Sequence, residues 1–118
     1  MNFNNCNWHD SIIKRIVIDR NNPGKNDSIL IEIIWPDDNE DTICFNGVYW
    51  ANFNMNFGIV SPENVLNAYL ASNDDKIMVD FFLRWKGLIK NVDLNCYVIE
   101  LNSTGGSIKI IAKEFEIC

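Results

Sequence analysis

Apolar and polar side chains alternate with a period of two over residues 11–20 and again over residues 28–35. In the first stretch Lys14, Ile16 and Ile18 alternate with Arg15, Val17 and Asp19; in the second Ile29, Ile31, Ile33 and Trp35 share one face. Such alternation in β-branched residues predicts strands. The intervening Asn21-Asn22-Pro23-Gly24-Lys25-Asn26-Asp27 is turn chemistry, because proline presets φ and glycine accepts a positive φ. The two strands should form an antiparallel hairpin.

After the polar, proline-led segment 36–41, apolar alternation resumes over residues 42–45 and 48–57, with Asn46-Gly47 between them. That dipeptide is a strong hairpin signal, and a bulge or corner at Gly47 would use the same chemistry; either way four strands are expected before the midpoint. Ser61-Pro62-Glu63 has the order of a helix cap, an N1 proline and a first-turn acid, with Val65, Leu66, Tyr69 and Leu70 on one helical face, so a helix is expected to near Ser72-Asn73. Residues 74–86 fit both a helical stripe (Ile77, Met78, Phe81, Phe82, Trp85) and a strand. Asp74 and Asp75 at the start and Arg84 and Lys86 at the end favour a helix stopping at Gly87. Strands follow over residues 92–101 and 107–117, turned by Asn102-Ser103-Thr104-Gly105-Gly106. The expected architecture is a single α+β domain over residues 1–118: an antiparallel sheet of about six strands in the order ββββ-α-α-ββ, with helices packed on one face or end.

Charge narrows the partners. Sixteen acidic side chains face ten basic ones, a net charge of -6. Nucleic-acid binding relies on clustered Lys and Arg to displace counterions, so no nucleic-acid partner is expected. A basic protein fits better, because an acidic surface speeds its association. No apolar stretch approaches the length of a membrane span or a signal peptide, and no membrane partner is expected. Cys6, Cys44, Cys96 and Cys118 form no C-x-x-C pair, and His9 is the one histidine. No metal and no cofactor are therefore expected, and the cysteines are read as free thiols in a reducing cytoplasm. The abundance of 18 Asn and 17 Ile against 3 Arg matches AT-rich bacterial genomes.

Candidate chemistry is sparse. Trp8-His9-Asp10-Ser11 brings an imidazole, a carboxylate and a hydroxyl together, but neighbours in an extended chain point apart, whereas a triad converges from separate segments. Any histidine-based acid–base reaction must use His9. Glu32, Asp80 and Glu100 are carboxylates that nothing places across a common cleft. Asp37, Asp38, Glu40 and Asp41 crowd one loop without the spacing of a calcium site. The loop at residues 102–107 is rich in Gly and hydroxyls but lacks a phosphate-loop lysine and joins two strands. Trp35, Trp50 and Trp85 sit in apolar patterns and are expected in the core, while Trp8 is the tryptophan open to exposure.

Trp8-His9-Asp10-Ser11 followed by two β-branched strands, and then Phe45-Asn46-Gly47-Val48, resembles small bacterial immunity proteins of polymorphic toxin systems over about residues 8–57. The resemblance implies a cytoplasmic antidote that binds and blocks a toxin domain. No catalytic residue is assigned. The expected contact set is Asp37, Asp38, Glu40 and Asp41 with Trp8 and His9, occluding a basic partner by shape and charge. The alternatives are a small enzyme or ligand-binding domain centred on His9, and an oligomeric structural module.

Overall fold

A computed structural model describes residues 2–85 and 92–118. After a short 3-10 turn at Phe3–Asn5 come β1 (Ile12–Asp19), β2 (Ser28–Ile34), β3 (Glu40–Asn54) and β4 (Glu63–Leu70), then α1 (Lys76–Trp85), β5 (Asn95–Leu101) and β6 (Ser107–Ile117). Every strand pairing is antiparallel, and the strands close on themselves in the order β1-β2-β3-β6-β5-β4. The ββββ-α-α-ββ expectation is therefore corrected to a strand-dominated barrel with one helix among the described residues.

The displaced helix is β4, and its mimicry has a physical cause. A bulge between Val65 and Asn67 inserts Leu66 as an extra residue, so that Val65 and Ala68, three apart, both turn into the barrel. A three-residue spacing of buried positions is a helical signature in a sequence, and a bulge counterfeits it. Pro62 stands just before the strand, where its missing N–H costs no ladder bond. The four strands expected before the midpoint are three, because Asn46-Gly47 lies inside the fifteen-residue β3. Gly47 has φ +64° and forms a corner in a continuous strand, and the register against β6 shifts just beyond it, between Val48 and Trp50.

Residues 76–85 are helical, as the charge pattern favoured: the Asp75 side chain accepts a hydrogen bond from Ile77 N (3.0 Å) and its carbonyl accepts one from Val79 N (3.0 Å), a side-chain cap on the helix start. The stop expected at Gly87 falls outside the described residues.

Two apolar clusters hold the fold. Ile29, Ile31 and Ile33 of β2 meet Ile43, Phe45, Ile99, Ile108 and Ile110 inside the barrel. Outside it, α1 lays Met78 and Phe81 over Cys96, Val98 and Ile111. β5 is thus covered on both faces, which is why residues 96–99 are buried without alternation. Trp85, expected in the core, is 41% exposed at the end of α1. Cys44 and Cys118 are joined by a disulfide that spans 74 residues, correcting the expectation of four free thiols. Burial raises the pKa of Cys96 to about 11, so this thiol behaves as a small apolar core group.

Gly106, the residue before β6, makes the tightest backbone approach among the glycines. A Cβ there would lie 2.1 Å from the Asn54 carbonyl oxygen at the end of β3. The oxygen is backbone and a Cβ is fixed in place by its own backbone, so neither can swing away. Gly106→Ala should cost about 3 kcal/mol, read as a lower urea midpoint, while Gly105→Ser nearby should be limited to the milder penalty of its positive φ (+71°) in open space. An unchanged midpoint for Gly106→Ala would refute the close approach.

Candidate functional site

The Trp8-His9-Asp10-Ser11 segment is a structural corner. Asp10 sits in the left-handed region (φ 67°), its N–H donates to Val65 O (2.9 Å), and Ser11 O accepts from Val65 N (2.8 Å), so the corner is stitched to β4. Ser11 is fully buried and its Oγ donates to Asn7 O (2.7 Å). His9 is exposed; its Nδ1 lies 2.7 Å from Leu66 O, which requires the proton on Nδ1, and its Nε2 is 3.6 Å from Asp10 Oδ2. The imidazole and hydroxyl thus serve different backbone carbonyls.

Trp8, a candidate contact residue, is 3% exposed, which removes it from any contact surface. Its ring packs on Phe3 (4.7 Å between centroids) and Trp35 (5.2 Å), and its Nε1 donates to Phe3 O (2.7 Å). The acidic loop is also largely committed to its own fold. Asp37 accepts from both the backbone and side-chain nitrogens of Asn39 (3.0 and 2.9 Å), Glu40 pairs with Lys14 (3.1 Å), and half-buried Asp41 accepts from Trp35 Nε1 (2.6 Å). Asp38 takes the left-handed turn position (φ 71°). Of the expected contact set, His9 and the carboxylates of Asp37, Asp38 and Glu40 are exposed at this end of the barrel. The other carboxylates do not converge on them: Glu32 is paired with Arg15 across β1 and β2, Asp80 lies 4.0 Å from Lys76 on α1, and Glu100 faces Asn67 in the β4–β5 ladder.

A second feature was not read from the sequence. β1 and β4 meet over two residue pairs only, Ile12 with Asn64 and Ile13 with Glu63. Beyond Ile13 the outer edge of β1 has no strand partner among the described residues, and the barrel is split along a seam. A cleft of about 490 Å³ occupies the split, walled by Ile13, Ile16 and Ile18 on one side and by Phe53, Met55, Phe57 and Ile59 on the other. Glu63 lies at its closed end, where Thr104 Oγ1 donates to the carboxylate (3.0 Å).

Exposure shows how open the seam is. Ile18 stands opposite Ile29, which is 2% exposed and faces the interior, so Ile18 faces the interior too; yet it is 56% exposed. Phe57 (85%) and Val60 (104%) stand out from the segment that follows β3. Water-facing apolar side chains grouped around a cleft mark a contact surface more often than isolated ones do. The sequence signal was available in Phe57-Gly58-Ile59-Val60, an apolar run with no alternating polar face and no second element to cover it.

Among the described residues, no three His, Cys, Asp or Glu side chains are grouped to hold a metal ion, and no helix is long and apolar enough to cross a membrane. Compared with known proteins, the chain matches no family model and no curated sequence.

Proposed function

We propose that this chain is a non-enzymatic protein-binding domain whose contact surface is the open seam beside β1. The observation that carries the reading is the exposure of interior-facing Ile18 together with Phe57, Ile59 and Val60. Burying such side chains contributes about 25 cal/mol for each Å² removed from water, and a folded monomer leaves that unused.

In its most specific form, the one the immunity-protein resemblance implies, the protein is an antidote that blocks a basic toxin domain. The net charge of -6 supports a cationic partner through faster association. The exposed carboxylates at the His9 end would then guide approach, and the apolar seam would supply affinity. A cytoplasmic site of action rested on free thiols, and the Cys44–Cys118 bridge removes that support for two of the four cysteines; the binding role does not depend on compartment.

The test is affinity capture from the host with the wild type and with a Phe57→Ser, Val60→Ser double variant. Both positions are exposed, so the fold should tolerate the change within about 0.5 kcal/mol per site. One stoichiometric partner retained by the wild type and lost by the double variant supports the seam. Equal retention by both proteins would move the contact surface elsewhere, with Asp37→Asn, Asp38→Asn as the next variant to examine.

A further inference from the structure

We propose that the seam is closed by a second copy of this chain, through antiparallel pairing of the β1 edges. The inference rests on the seam being a contact surface, and it names the occupant in the free protein, which any other partner docking at the seam would have to displace. Beyond Ile13 the β1 edge offers unpaired backbone groups, the template to which another strand adds.

The side chains along that edge select their own sequence as the match. In an antiparallel pair, residues directly opposite share a face, so interior-facing Ile16 and Ile18 must oppose interior-facing residues. Their facing is fixed by their partners in β2: Ile16 stands opposite buried Ile31, and Ile18 opposite buried Ile29. Arg15 and Val17, opposite half-exposed Glu32 and Leu30, face outward. With Val17 on a two-fold axis, Ile16 opposes Ile18 of the second copy and Arg15 opposes its Asp19. One face then carries four adjoining isoleucines, and the other carries two Arg–Asp pairs flanking a pair of valines; the next positions out, Lys14 at the β1 bulge and Arg20 beyond the strand end, are like charges, each already paired within its own chain to Glu40 and Asp27.

Neighbouring registers do worse. A slip of one residue sets interior positions against exterior ones. A slip of two sets Val17 against Asp19 or Arg15 against Val17 and loses both charge pairs. Arg15 already contacts Glu32, and a guanidinium has donors enough to serve a second carboxylate. The same approach brings a second apolar surface to Ile18 and to the cleft rim around Phe57 and Ile59, the groups most in need of cover.

The probe is the protein itself. Light scattering from about 1 µM to about 1 mM should show the mass rising from 13.6 kDa towards twice that value. Val17→Cys should form an intermolecular link on mild oxidation, identified by mass spectrometry as residue 17 joined to residue 17. Asp19→Arg, which sets two arginines opposite each other twice, should raise the dissociation constant about tenfold or more. Mixing it with Arg15→Asp should restore a mixed dimer that neither variant forms alone. A mass fixed at 13.6 kDa across the range, or a dimer of the Val17→Cys variant in which position 17 does not link, overturns the proposal. If the chain is monomeric while the Phe57, Val60 variant still loses a captured partner, self-pairing fails and the seam as a binding surface stands.

Discussion

Phe3→Ala is expected to lower the unfolding free energy by about 4 kcal/mol. Phe3 is 1% exposed in an otherwise polar, asparagine-rich N-terminus, and it is the hub of an aromatic cluster. Its ring lies 4.7 Å from Trp8, 4.9 Å from Tyr97, 5.1 Å from Phe115 and 6.3 Å from Phe45, so one side chain joins the N-terminal segment to β3, β5 and β6. The segment acts as a plug. Asn4 Oδ1 accepts from Leu70 N at the end of β4 (2.8 Å), and Asn2 Oδ1 accepts from Asn4 N (3.0 Å), holding the 3-10 turn in place.

Removing the ring leaves a cavity bounded by rigid aromatics from four segments, which cannot collapse together. Because the Phe3 ring packs directly on Trp8, the near-ultraviolet circular dichroism should weaken in the same variant. Asn5→Ala, in the same 3-10 turn but exposed, should stay within about 0.5 kcal/mol of wild type. A loss below about 1 kcal/mol for Phe3→Ala would show that the barrel end does not need its plug.

The same plug shows why parts of the fold were hidden in the sequence. β1, β2, β5 and β6 were legible because their apolar residues alternate or run continuously over seven or more positions. Phe3 stands alone among asparagines, and a single apolar residue has no period to read. β4 was misread because the bulge at Leu66 turns a period of two into a spacing of three. Gly47 carried the right local message, a positive φ, but a local dihedral does not say whether the chain reverses or only bends. The acidic loop was correctly placed as polar. The Asp37–Asn39 hydrogen bonds are local to the loop, but the use of Asp41 by Trp35 and of Glu40 by Lys14 depends on contacts between strands that no local pattern encodes. The seam is a property of closure: β4 pairs with β1 for only two residues because it begins at Glu63, and that shortfall is invisible until the strand order is known.

Reducing the Cys44–Cys118 disulfide is expected to cost about 4 kcal/mol. Cys44, 6% exposed, lies in β3, and Cys118 directly follows β6, with its N–H donating to Thr42 O (2.9 Å). β3 and β6 already pair from Ile43 with Ile117 to Asn54 with Ser107, so the bridge adds little new contact to the folded state. Its effect falls on the unfolded chain, where a closed loop spanning 74 residues removes conformations that the reduced chain regains. Two signatures follow. The melting temperature should fall by roughly 15 °C on reduction, and the urea m-value should rise, since the reduced unfolded chain exposes more surface. A Cys44→Ser, Cys118→Ser variant should match the reduced wild type and ignore the reductant, because no bridge remains to be cut. If wild type melts identically with and without reductant, the bridge contributes nothing. The barrel interior of Ile29, Ile31, Ile43 and Ile108 does not involve the sulfurs, so the reduced chain should remain folded with a narrower margin. A binding surface at the seam would then survive reduction, and a change in partner affinity on reduction would have to come from the β3–β6 end of the barrel.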